Sequence, residues 1–264
     1  MSPSDESGSA AATTDAHVDT FHRDGFAIFR GVFSSDEIAQ LAQEAASLLE
    51  RSELIDSQNI RCRWQDHASS GECIFDCFDP VIDIGPVCGY FAAHQGLLSI
   101  LEQVYGQPAC LFKDKLIFKR PGAKGYGLHQ DFIGWEGFPE SFLTVVIPID
   151  ETTAENGATE VFPGIHRKGY LSPRDGEYHQ LDDDQVDLST GVMLEMSPGD
   201  VAIFSGFTPH RSEPNRSDQP RRQLYLSYNA QADGGDQRSV HYAEFNQWLI
   251  KKYAEYGKAG VWFR

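Results

Sequence analysis

Residues 191–230 read GVMLEMSPGDVAIFSGFTPHRSEPNRSDQPRRQLYLSYNA. Runs rich in β-branched and aromatic residues alternate there with Gly, Pro, Asn and Asp, which is the pattern of strand, turn and strand. Toward the N-terminus, ATEVFPG (158–164), FLTVVIPID (142–150) and LFKDKLIFKRPG (111–122) repeat it. Short strands at this spacing suggest a jelly roll or a related barrel.

Helices flank this β-rich part. In FHRDGFAIFRGVFSSDEI (21–38), Phe26 and Ile28 alternate briefly as a strand that Ser34 and Ser35 stop. Ser34 with Glu37 forms a candidate capping box, and Ile38, Leu41, Ala42, Ala45, Leu48 and Leu49 then recur on one helical face. A second helix is expected around 92–105, with Leu97, Leu98, Ile100, Leu101 and Val104, ending near Gly106 and Pro108. In HYAEFNQWLIKKYAEYG (241–257), Phe245, Trp248, Leu249, Tyr253 and Tyr256 make an aromatic helical stripe that reads as core packing. Residues 51–90 carry little periodicity and read as a long loop region over a pocket.

The 264 residues, 41% hydrophobic and 12% aromatic, suffice for one substantial core. One domain over 17–264 is expected. The stretch MSPSDESGSAAATTDA (1–16) has neither the basic nor the apolar region of a secretory signal and reads as a disordered tail. A formal charge of -17 disfavours nucleic acid and anionic membranes as partners. No apolar run approaches the ~20 residues that span a bilayer, so a cytoplasmic protein is the expectation. The five cysteines, at 62, 73, 77, 88 and 110, form no CxxC pair and read as reduced thiols.

The chemistry concentrates in two segments. In GYGLHQDFIGW (125–135), His129 and Asp131 are two residues apart, so in a strand both project from one face toward a single ion. A third ligand completes the two-His, one-carboxylate arrangement that holds Fe(II) and leaves positions open for O2. His210 in GDVAIFSGFTPH and His166 in FPGIHRKG are both candidates. An HxD pair is common by chance, so its context decides. Arg221 follows His210 by eleven residues, after a turn-forming segment, and offers the planar fork that grips a carboxylate bidentately.

These residues carry a resemblance. FHRDGFAIFRGVF (21–33), HQD (129–131), ENGATEVFPGIH (155–166) and HRSEPNRSDQPRRQLYLSY (210–228) together resemble the phytanoyl-CoA dioxygenase family of Fe(II)/2-oxoglutarate-dependent oxygenases. The resemblance implies a mainly β fold with flanking helices around a cupin-like double-stranded β-helix. It implies His129, Asp131 and His210 as iron ligands, Arg221 on the distal carboxylate of 2-oxoglutarate, and Ser212 as a further bond to it. His166 then belongs to a structural turn. Decarboxylation of 2-oxoglutarate with O2, giving succinate and CO2, is the implied chemistry, and Asp131 favours hydroxylation over halogenation.

The substrate end is read from charge. Lys113, Lys115 and Lys119 share one strand parity, and Arg61 and Arg63 add basic groups in an otherwise acidic chain. They suggest an anionic or zwitterionic small molecule such as a carboxylate, a phosphonate (an aminoalkylphosphonate, for example), an acyl thioester or a natural-product intermediate. Desaturation, epimerisation or acyl-CoA hydroxylation are alternative outcomes of the same cofactor chemistry. Tyr126, Phe132 and Trp135 flank the HxD and are candidate substrate contacts. Rival readings are a non-catalytic jelly-roll binding protein and a Zn or Mn isomerase or hydrolase on the same ligands.

Overall fold

A computed structural model describes residues 6–131 and 137–262 of the chain. The elements in order are α1 (Glu6–Asp24), β1 (Phe26–Phe29), α2 (Ser35–Glu50), β2 (Cys62–Asp66), β3 (Cys73–Phe78), α3 (Pro86–Ala92) and α4 (Gln95–Tyr105). They continue with β4 (Ala109–Ile117), β5 (Tyr126–His129), β6 (Leu143–Pro148), β7 (Thr159–Val161), β8 (Val192–Met193), β9 (Val201–Ser205), β10 (His210–Ser212), β11 (Gln223–Ala230) and α5 (Arg238–Tyr256).

The strands form two antiparallel sheets, a seven-stranded one in the order β1-β9-β6-β11-β4-β3-β2 and a four-stranded one in the order β5-β10-β7-β8. Packed face to face they make the expected jelly roll. The central strands are buried along their whole length, and their alternation assigns a core to each face. Leu143, Val145 and Ile147 of β6, with Leu224 and Leu226 of β11, face a layer containing α2, α3 and α4. Val146, Tyr225, Ala202 and Phe204 point the other way and meet Val161, Leu194 and Met196 between the sheets. The two faces therefore do different work: one binds the helical layer, and the other encloses the interior of the roll.

The capping box of α2 is present, with Ser34 Oγ accepting from the Glu37 amide and the Glu37 carboxylate accepting from the Ser34 amide at 2.8 Å. Helix α4 ends as expected at Gly106, whose φ of 65° needs a residue without a Cβ. Three features differ from the sequence-based expectation. Helix α1 reaches back into the stretch 1–16, and Val18 and Phe21 near its end pack on the main core. The region 51–90 contains β2, β3 and α3, which carry no visible period because most of β3 is buried on both faces. Tyr256 ends α5 exposed, while Phe245, Leu249 and Trp248 pack with Val261 and Trp262.

Candidate metal centre

β5 and β10 are hydrogen-bonded neighbours, and their register sets His129 directly opposite His210. The sheet thus delivers both imidazoles to one point, with ring centroids 4.2 Å apart. Asp131 lies two residues past His129, just beyond the end of β5, and its Oδ1 stands 3.6 Å from His210 Nε2 and 3.9 Å from His129 Nε2. The three ligand atoms all lie within 4.8 Å of one another.

Each member is oriented by a second bond. His129 Nδ1 donates to the Gly127 carbonyl at 2.7 Å, and His210 Nδ1 donates to the Thr208 carbonyl at 3.1 Å. This assignment leaves both Nε2 lone pairs aimed at Asp131, the arrangement that ligating histidines use. Thr144 Oγ1 donates to Asp131 Oδ2 at 2.6 Å, leaving Oδ1 free. Burial pushes the His129 imidazole down to about 3 and lowers His210 as well. Burial acts upward on Asp131, but the two imidazoles, Lys115 and the Thr144 hydroxyl hold its carboxyl below the usual range. The cluster therefore stands at neutral pH as two neutral imidazoles and one carboxylate, the protonation state a divalent metal requires.

His129, Asp131 and His210 line a cavity of about 130 Å3 together with Arg221 and Ser212. Arg221 is 1% exposed, and its Nη1 donates to the Gly157 carbonyl. Its Nε has no hydrogen-bond partner, and among the described residues no carboxylate forms an ion pair with it. Tyr225 and, at longer range, Asp76 meet its charge only in part. A buried guanidinium without a contacting carboxylate is costly, so this one fits an acidic ligand entering the cavity. The residues present thus fit both a divalent metal and a dicarboxylate. Ser212 Oγ accepts from Lys119 Nζ at 2.9 Å and from the Tyr126 amide at 3.2 Å, which leaves its own proton to donate.

The remaining sequence candidates separate. Lys113, Lys115, Arg63 and Tyr126 line the cavity. Tyr126 does so with its hydroxyl committed to Asp76. Lys119 is fully buried outside the cavity wall, bonding Ser212 Oγ and the Gly157 and Glu213 carbonyls, because β4 ends at Ile117 and its parity ends there too. Arg61 precedes β2, turns outward, and forks onto Asp83 with two bonds of 2.7 Å. His166 sits in a 3-10 turn, Ile165–Lys168, against Gly25. Trp135 and Phe132 lie outside the described residues. Sequence reasoning missed Asp76, Asp79, Thr144, Tyr178 and His241, all close to the site. Thr144 alone had a signal, as a polar residue inside the apolar run FLTVVIPID.

A jelly roll that presents two imidazoles and a carboxylate to one point, with a buried arginine beside them, has the make-up of the mononuclear non-haem iron oxygenases. The profile of the phytanoyl-CoA dioxygenase (PhyH) family matches residues 21–223, and the chain belongs to that family. Methylphosphonate hydroxylase of Gimesia maris is 38% identical over 163 residues, which are 58% of this chain and 61% of that protein. The chain thus spans about three fifths of that relative. The 2-aminoethylphosphonate dioxygenase of an uncultured bacterium is 27% identical over 188 residues, 69% of this chain and 71% of that one. Among solved structures, EctD from S. alaskensis with 2-oxoglutarate and 5-hydroxyectoine superposes with a TM-score of 0.69 at 24% identity, covering 83% of this chain and 76% of that one. The fold is therefore that of the cupin-like 2-oxoglutarate oxygenases.

Proposed function

We propose that the protein is an Fe(II)- and 2-oxoglutarate-dependent dioxygenase that hydroxylates an unactivated C–H bond of a small anionic substrate. The observation that carries this reading is the pairing, in one cavity, of the His129, Asp131 and His210 cluster with the unpaired, buried Arg221. A metal-binding protein without turnover, or a Zn or Mn isomerase, has no use for a buried cation poised for a second acidic ligand. Phosphonate and ectoine oxidation by the relatives supports a substrate of low molecular mass and high polarity. The cavity volume corresponds to on the order of ten water-sized groups, which agrees.

In this reading, bound Fe(II) with 2-oxoglutarate supplies the oxidising chemistry, converting 2-oxoglutarate and O2 to succinate and CO2 as a C–H becomes C–OH. The chain supplies position. His129 and His210 offer Nε2 without first losing a proton, and Thr144 fixes which oxygen Asp131 presents. Arg221 orients the far carboxylate of the co-substrate, with the Ser212 hydroxyl beside it. Phe112, Phe138 and Phe142 wall the cavity and exclude water from the reacting carbon. A cytoplasmic setting is part of the same proposal, supported by five free thiols and a ferrous centre that both suit a reducing compartment. No helix among the described residues is long and apolar enough to cross a membrane.

Anaerobic addition of Fe(II) and 2-oxoglutarate should give a visible charge-transfer band, with succinate formed once O2 and substrate are admitted. Arg221→Ala should weaken the band sharply at low co-substrate, and His210→Ala should abolish it, while His166→Ala should retain it. An unchanged band in Arg221→Ala removes that residue from its role, and loss in His166→Ala but not His210→Ala means a different third ligand. Product mass then separates one added oxygen from desaturation or epimerisation.

A further inference from the structure

The cavity has a second end, built by β2, β3, β4 and α5, where cations outnumber carboxylates. Arg63, Lys113, Lys115, Arg211 and Arg221 line the cavity against Asp76, Asp79 and Asp131. Arg211 is neutralised by Glu160 at 2.6 Å. Asp76 is offset by Lys119 behind the wall, whose ammonium donates to Ser212 Oγ and to the Gly157 and Glu213 carbonyls, and it is already bonded by the Gln65 amide at 2.6 Å and by the Tyr126 hydroxyl. An Fe(II) ion, Asp131, doubly charged 2-oxoglutarate and Arg221 balance one another. What is left is Arg63, Lys113 and Lys115 against the single carboxylate of Asp79.

That carboxylate is fully used. Its Oδ2 lies 3.1 Å from Lys113 Nζ and 3.5 Å from Arg63 Nη2, and its Oδ1 accepts from the Tyr242 hydroxyl at 3.1 Å. Lys113 Nζ also rests 4.2 Å from the centroid of the Phe245 ring, which holds it in place. Lys115 forms no ion pair or hydrogen bond among the described residues; its ammonium sits 4.9 Å from the Tyr225 centroid and opens into the cavity. The lone carbonyl bonds of Arg63, to Ile60 and Asp79, fix it without neutralising it. Asp131 is the strongest charge partner of Lys115, and with Asp131 committed to the metal two positive charges remain uncompensated within a small enclosure, in a chain whose average field repels anions.

Resting on the oxygenase reading above, we propose that this end is a subsite for a compact dianionic tetrahedral oxoanion on a short alkyl chain, an alkylphosphonate without an amino group. Lys115 is its principal contact, Lys113 and Arg63 complete the charge, and Asp79 and Phe245 are positioning residues. A phosphonate dianion matches the surplus of two charges, whereas a monocarboxylate leaves one cation unmet. An aminoalkylphosphonate brings an ammonium for which no lining carboxylate is free, so its second charge is buried without a partner. Lysines suit such a group, as compact point charges that reach separate oxygens of a tetrahedron. The alkyl end then faces Phe112, Phe138 and Phe142.

The test is isothermal titration of the anaerobic Fe(II) and 2-oxoglutarate complex with methylphosphonate, aminomethylphosphonate and acetate. Methylphosphonate should bind at least roughly tenfold more tightly than either of the others. Lys115→Met, shown to be folded by an unchanged circular dichroism spectrum, should lose roughly tenfold or more in methylphosphonate affinity, and Lys115→Arg should recover part of it. Aminomethylphosphonate or acetate binding as tightly as methylphosphonate overturns the proposal, as does a Lys115→Met protein of unchanged affinity. No heat from any of the three, with the charge-transfer band present, overturns the subsite alone. Absence of the band removes the oxygenase reading and this one with it.

Discussion

At the scale of single residues, burial sets the protonation of the site as firmly as any specific partner does. His241 lines the cavity 4% exposed, and burial, with Lys113 next in effect, holds its imidazole at about 3 against an ordinary 6.5. Between those values the unfolded chain takes up a proton that the folded chain refuses. The stability involved is complete above about pH 6.5 and falls as pH drops toward 3, by about 1.4 kcal/mol per pH unit for one such group. His129, also at about 3, acts in the same direction, as does Asp79, whose carboxyl at about 2 withholds a proton below the normal carboxylate range. Urea unfolding of His241→Phe between about pH 6 and pH 4 should show a slope shallower by about that amount, because a ring of similar size replaces a titrating one. An identical slope means that His241 is protonated in the fold. The same scale explains what sequence could disclose. His129 and Asp131 stand out in the sequence because their i, i+2 spacing is a local signal, although Asp131 lies past the end of β5 and is held by Thr144 rather than by the pleat. Arg221 stands out through the family resemblance, by its distance from His210. Arg61 and Arg63 look equivalent by that rule, yet β2 begins at Cys62, so only Arg63 obeys it.

Among the elements, β4 and α5 show a division of labour hidden in the sequence. The odd positions Lys113 and Lys115 of β4 face the cavity, while Asp114 between them points away and ties down two neighbours. Its Oδ1 accepts from the Val81 and Ile82 amides at 2.6 and 2.9 Å, and its Oδ2 accepts from Arg238 Nε at 2.7 Å, at the start of α5. One turn further on, the Tyr242 hydroxyl accepts from the Asp114 amide at 3.0 Å and lies 2.9 Å from its carbonyl and 3.1 Å from Asp79 Oδ1. Helix α5 lies beyond residue 223, where the family match ends, yet it supplies His241 to the cavity and Phe245 beneath Lys113. Its aromatic stripe reads as core packing, and apart from the exposed Tyr256 it is core packing; what periodicity cannot show is that the same rings also support cations. Tyr242→Phe leaves the buried Asp114 amide unpaired and Asp79 with one donor fewer, so it should cost about 1–3 kcal/mol in denaturant unfolding. A cost near zero would detach α5 from this anchoring role. The capping box on α2 was readable for the opposite reason, since every atom it needs lies within four residues.

The whole molecule places the candidate metal cluster where its two sheets meet. His129 and His210 belong to the four-stranded sheet, while Thr144, which holds Asp131, belongs to β6 of the other, and Arg221 enters the seven-stranded sheet just ahead of β11. Strand order and facing could not be read from the chain, because β1 pairs with β9 and β4 with β11 across more than a hundred residues, and no local pattern encodes those partners. A ligand that bridges sheets stabilises the entire fold through its preference for the native state, by about 2.7 kcal/mol at a hundredfold excess over its dissociation constant. Arg221 adds a sign to this expectation. In the unliganded protein it is a buried cation without a contacting carboxylate, so replacing it with a similarly long apolar side chain removes a desolvation cost as well as the bonds to Gly157 and Tyr225. The apo Arg221→Met protein should therefore unfold at a temperature no lower than the parent, yet gain nothing from 2-oxoglutarate that raises the parent's Tm in the presence of Fe(II). Thermal unfolding of both proteins, with metal alone and with metal plus 2-oxoglutarate, separates the outcomes. A marked drop in the apo variant would show that the guanidinium is a structural strut whose charge is met inside the fold, and Arg221 would then lose its claim on the co-substrate.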